Sequence, residues 1–152
     1  MKPVYTLAEA LAKDPGRVAK TQALTLDSTR PYMGLKGSHG LFASAAWWKS
    51  IEAKRLPTQT LTGIIERTYF AGQDSRHGDQ VNSVTLRLAD GSVVDESIYM
   101  NDKQDIKLFV PGAMVTMIYA LDELKAQPAA DGGVNVARIV LEVAISVRKD
   151  TE

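Results

Sequence analysis

From Ile139 to Val147 every odd position is apolar (Ile139, Leu141, Val143, Ile145, Val147), while Glu142 and Ser146 fall between them. A period of two over that length predicts a strand with one buried face. The same alternation marks Val84, Leu86 and Leu88, interleaved with Thr85 and Arg87. Asp90-Gly91 then signals a hairpin into a strand over Ser92–Met100. A two-residue turn would set Leu86 opposite Asp95, whereas a three-residue turn with Gly91 in the left-handed conformation sets it opposite Val94. Only the second keeps apolar groups on one face, so that register is expected. Thr60–Phe70 is rich in β-branched and aromatic residues and predicts a strand bent at Gly63. Ala113–Leu121, after the Pro111-Gly112 turn, predicts another. Asn101–Phe109 reads as a short helix, with Asn101 and Gln104 at capping-box spacing. Ala71–Gln80 and Lys125–Gly133 read as polar loops.

The first third of the chain has a different pattern. Thr6, with Glu9 three residues on, announces a helix from Leu7 that Asp14-Pro15-Gly16 stops within two turns. Arg17–Leu26 is divided, since Val18-Ala19 favours helix and Leu24-Thr25-Leu26 favours strand. Asp27–Leu41 is rich in glycine and turn residues. Ser44 is the expected N-cap of a helix over Ala45–Arg55, ended by Pro57. Trp47, Trp48 and Ile51 group on one face of that helix. At least one of the two rings therefore belongs to a core.

Three strands, a short helix and two strands over about residues 60–148 are the element order of the OB-fold. In that architecture the loops between strands 1 and 2 and between strands 4 and 5 often bind ligands. The chain resembles it in order alone. The expected class is α+β, mainly β: a five-stranded antiparallel small barrel, β-β-β-α-β-β, with an N-terminal helical extension. An open antiparallel sheet backed by the tryptophan helix is the rival. The 152 residues suit a single domain. Its parts are a helical, glycine-rich, basic extension (1–57), the barrel or sheet (58–148) and a polar tail (149–152).

Composition removes several kinds of chemistry. There is no cysteine, so no disulfide and no thiolate metal site. His39 and His77 stand too far apart for a zinc spacing, and neither a metal nor a cofactor is expected. No apolar run approaches the ~20 residues of a membrane helix, and the N-terminus lacks a secretory core. A cytoplasmic protein without a membrane partner is the simplest expectation. The densest acidic group, Asp95, Glu96, Asp102 and Asp105, fits a solvated strand end and a capped helix. Net charge is zero, yet residues 1–57 hold nine basic and four acidic residues. That asymmetry points to an anionic partner or, more plainly, to two parts that neutralise each other.

Three segments carry candidate sites. Gly34, Gly37 and Gly40 precede a helix, and backbone amides at Gly37 and Ser38 could cradle a phosphate. The plainer reading is a surface loop that needs positive φ angles. Trp47, Trp48, Lys49, Lys54 and Arg55, with Arg30 and Tyr32 nearby, combine stacking rings with phosphate-pairing cations, as single-stranded nucleic-acid binders do. Core packing of the rings competes with that role. In the loop Gln73–Asp79, Arg76 and His77 are candidate ligand contacts, and no nucleophile motif accompanies them. No catalytic residue is expected. The sequence thus favours a non-enzymatic interaction module, engaging another protein or itself. Single-stranded nucleic-acid binding and a small enzyme with a concealed site are the alternatives.

Overall fold

The structure, a computed structural model, describes residues 1–72, 81–128 and 134–147. In chain order the elements are β1 (Lys2–Thr6), α1 (Leu7–Lys13), α2 (Pro15–Leu26), α3 (Ala45–Glu52), β2 (Thr58–Tyr69), β3 (Ser83–Arg87) and β4 (Val93–Ser97). A 3-10 helix (Lys103–Leu108), β5 (Met114–Pro128) and β6 (Val134–Ile145) complete them. The strands form one six-stranded antiparallel sheet in the order β1-β6-β5-β2-β3-β4.

This sheet is open, which overturns the expected OB-like barrel. A barrel has no edge strands, because its first and last strands pair. Here β1 and β4 end the order. β1, invisible in the alternation pattern, takes the outer side of β6, with Lys2 opposite Ile145 and Tyr5 opposite Val143. Element order along a chain says which strands succeed one another and leaves open which of them pair. A strand supplied by the N-terminus occupied the edge that closure needed.

The chain resolves into two compact units. One comprises Met1–Thr6, Thr60–Met117 and the chain from Glu142 on, the other Leu7–Gln59 and Ile118–Leu141. The core of the first is built from Val4, Ile65, Val84, Leu86, Phe109, Val115, Met117, Val143 and Ile145, all buried. Its β3–β4 hairpin has the expected register: Leu86 pairs with Val94, and Gly91 has φ 86°. The three-residue turn won because a two-residue turn would have put Asp95 on the apolar face. Asn101 does not cap the helix that follows. Its N–H donates to the Val4 carbonyl at 2.8 Å, and its Oδ1 accepts from the Thr6 N–H at 2.8 Å. Asn101 Nδ2 also donates to the Thr6 carbonyl at 3.3 Å, so one side chain seals polar groups along β1. The cap is Asp102, whose carboxylate accepts from the Gln104 N–H.

In the second unit the core gathers Leu7, Leu11, Leu35, Phe42, Trp47, Leu56, Tyr119 and Leu141. The divided segment Arg17–Leu26 is helical. Asp14 caps α2 by accepting from the Arg17 N–H, with Pro15 at the first helical position. Asp14-Pro15-Gly16 therefore ends one helix and starts the next. α3 stops at Glu52, short of the expected Arg55. β5 runs on past the expected Leu121 to Pro128, and along that continuation Gly34–Lys36 pairs with Glu123–Lys125.

Candidate functional site

That pairing builds the most distinctive surface of the second unit. The Lys36 N–H donates to the Glu123 carbonyl at 2.9 Å, and the Lys125 N–H donates to the Gly34 carbonyl at 3.0 Å. The Lys125 side chain then reaches across the loop that leads into this bridge. Its ammonium donates to the carbonyls of Leu24 (2.6 Å), Asp27 (3.2 Å) and Arg30 (3.2 Å). Leu24 lies in the last turn of α2, where carbonyls lack helical partners and a cation is favoured. Two successive turns follow, closed by Arg30 N–H to Asp27 O and Met33 N–H to Arg30 O. Pro31 holds the second position of the later turn, where its fixed φ fits. Gly34 closes the loop with φ 90°, and a Cβ there would lie 2.7 Å from Leu24 Cγ. Only glycine lets the backbone approach α2 that closely.

Asp27 stiffens the same loop. One carboxylate oxygen accepts from both the N–H and the hydroxyl of Thr29, and the other pairs with Arg30 at 3.5 Å. The Thr29 hydrogen bonds, with Arg30 and Lys125 nearby, hold the Asp27 carboxyl below its ordinary range. The knot so tied presents large apolar side chains to solvent: Leu26 is 70% exposed, Tyr32 62% and Met33 51%. The Arg30 guanidinium lies 3.8 Å from the Met33 sulfur. Three large apolar groups held out within eight residues are not the random scatter of surface hydrophobics. Tyr, Met and Arg are also the types enriched where proteins meet.

The residues singled out by sequence fall around this knot in different ways. Trp47 is wholly buried, as the packing reading requires. Its indole N–H donates to Asp122 Oδ2 at 2.9 Å, and Phe42 and Trp48 meet its ring edge-on. Trp48 is half-buried, whereas Lys49 is exposed on α3 and Lys54 and Arg55 are exposed just past its end. Gly34, Gly37 and Gly40 all have positive φ. The Ser38 hydroxyl donates to Glu123 at 3.0 Å, and Lys36 pairs with the same carboxylate at 3.8 Å. A carboxylate of the protein itself thus holds both groups. Arg76 and His77 lie outside the described residues. Sequence reading passed over Leu26, Met33 and Lys125. The available signal was apolar residues flanking Arg30-Pro31 inside a turn-rich stretch.

Asp122 is buried beneath Trp47, and its Oδ1 has no hydrogen-bond partner among the described residues. Burial pushes its carboxyl above the ordinary range, against the opposing pull of the Trp47 N–H and nearby His39. The native state therefore holds this proton more tightly than the unfolded chain does. Stability falls as pH rises from about 4 through the raised native value, and the slope ends above it. Asp122→Asn, which cannot ionise, is expected to remove that slope in urea melts taken across this range. If the slope survives in the variant, some other group titrates.

The described residues contain no group of three or more His, Asp or Glu able to hold a metal ion. No helix among them is long and apolar enough to cross a membrane. No curated protein matches the chain. The family model described as immunity protein RhsI2 matches residues 1–146, nearly the whole chain. The protein belongs to the RhsI2 immunity protein family.

Proposed function

We propose that this protein neutralises a cognate Rhs toxin by binding it through the Leu26–Met33 knot. Family membership gives the protein a non-enzymatic, protein-binding role, and the knot is the surface best suited to it. The observation that carries the assignment is the exposure of Leu26, Tyr32 and Met33 on a loop whose carbonyls converge on one lysine. Association costs freedom in proportion to what must be ordered, so an anchor already held in place converts more of its buried area into affinity. Neutralisation of this kind needs no chemistry on the inhibitor's side. It needs a complex that outlasts the toxin's opportunity to act, formed in the compartment where the toxin works, which we take to be the cytoplasm.

Calorimetric titration with the cognate Rhs toxin tests the assignment. Tyr32→Ala is expected to weaken binding about 30-fold, the equivalent of an interfacial hot spot of about 2 kcal/mol. Its unfolding midpoint should stay at the wild-type value, since the ring is mostly in solvent. Wild-type affinity in both Tyr32→Ala and Leu26→Ala would move the interface elsewhere.

A further inference from the structure

We propose that a basic, extended segment of the toxin adds to the free edge of β4 as a further strand of the sheet. This rests on the toxin-binding reading above and concerns a different surface, in the unit that holds β4. The hydrogen-bond pattern of the hairpin identifies the open edge. Leu88 N–H donates to Ser92 O and Ile98 N–H donates to Asn82 O. With Leu86 opposite Val94 and Val84 opposite Glu96, the even-numbered residues of β4 face β3. In an antiparallel ladder the alternate residues then direct their N–H and C=O groups away. Those are Val93, Asp95 and Ser97, whose outward groups have no partner among the described residues.

The two edges of the sheet are treated differently. β1 carries Lys2 and Pro3, and Asn101 seals its groups at Val4 and Thr6. Charge, proline and covering segments are the usual guards against strand addition. From Leu88 to Asp102 there is no lysine, arginine or proline. Val93 at the start of β4 is 55% exposed. The strand is also held still from its inner side. Asp95 accepts from the Thr85 hydroxyl at 2.6 Å, Thr85 accepts from Arg67 Nε at 3.1 Å, and the Arg67 guanidinium lies 4.4 Å from the Tyr69 ring centre.

Charge selects the occupant. Asp90, Asp95, Glu96 and Asp102 are the charged residues of the Leu88–Asp102 stretch. A second copy pairing antiparallel about the middle of β4 would set Asp95 against Asp95, and like charges directly opposite destabilise a strand pair. A strand bearing lysine or arginine meets complementary charge there, while backbone pairing supplies affinity of the kind used in strand-addition complexes.

Amide hydrogen exchange of the full chain, alone and with the cognate Rhs toxin, decides the matter. The amides of Val93, Asp95 and Ser97 are expected to exchange at least tenfold more slowly in the complex. Ser97→Pro removes an outward donor without removing a ladder bond, and is expected to weaken binding at least tenfold with Leu86 and Val94 still protected. If that variant fails to fold, Asp95→Lys should show a comparable loss. Toxin binding by the wild type with β4 exchanging as in the free protein would overturn strand addition and leave the knot assignment standing. Protection that grows with protein concentration alone would assign the edge to a second copy and equally overturn it. A wild-type protein that binds no toxin removes the functional reading itself.

Discussion

Trp47→Ala is expected to destabilise the protein by about 3–5 kcal/mol, the range found when a large aromatic is removed from a packed core. The ring is fully buried, with Phe42 at 5.1 Å and Trp48 at 4.9 Å between ring centres, both edge-on. Alanine leaves a void that neighbours anchored to α3 and β5 cannot fill. It also strips Asp122 Oδ2 of its indole donor, on a carboxyl whose other oxygen already lacks a partner among the described residues. An unsatisfied buried acceptor adds its own cost. Trp48→Ala, at a half-buried position, should cost much less, about 1–2 kcal/mol. Urea unfolding followed by circular dichroism measures both without relying on tryptophan emission. Equal losses for the two variants would mean that Trp47 is not the centre of this core.

The second large effect concerns Lys125. Lys125→Met keeps the apolar stem and deletes the ammonium that three carbonyls share, and a loss of about 2–3 kcal/mol is expected. The figure is below the sum of three charged hydrogen bonds because each carbonyl retains a second donor. Asp27, Arg30 and Met33 supply those N–H groups. The Leu24–Met33 amides should exchange faster, and toxin affinity should fall with the loosening of the knot. Lys125→Arg is not expected to rescue, because a planar guanidinium cannot present three donors from one point as an ammonium does. Unchanged exchange across residues 24–33 in the methionine variant would show that the turns hold the loop unaided.

Local rules made much of this molecule legible. The hairpin register followed from keeping Asp95 off the apolar face, and burial of one of the two tryptophans followed from their grouping with Ile51 on one helix face, although the spacing did not say that it would be Trp47. The places that were not legible depend on pairing at a distance. β1 is five residues containing a lysine and a proline, and its partner lies some 140 positions away. Proline is tolerated there because β1 is an edge strand with an irregular register between Pro3 and Tyr5. The continuation of β5 beyond Leu121 to Pro128 was not legible, because Lys125–Pro128 is polar and the segment bridged to Leu124 is a glycine-rich stretch without alternation. Asn101 had the spacing of a helix cap and was drawn instead to β1, a partner that sequence reading did not contain. The knot was hidden for the same reason. Its residues are adjacent in sequence, but the lysine that binds them comes from a strand about a hundred positions on.

The pairing of Lys2 with Ile145 fixes a moment in the life of each molecule. At roughly 5–20 residues per second of synthesis, the first strand leaves the ribosome on the order of ten seconds before its partner exists. Until then β6 is unmade and β5 is bare on the side that β6 will cover. The sheet cannot be assembled piece by piece from the N-terminus, and its many distant pairings place folding toward the slow end for a chain of this size. Shielding from the toxin therefore comes from chains in which β6 has already been made and has taken its place between β1 and β5. A cell that stops making this protein keeps only as much shelter as the completed molecules it already holds.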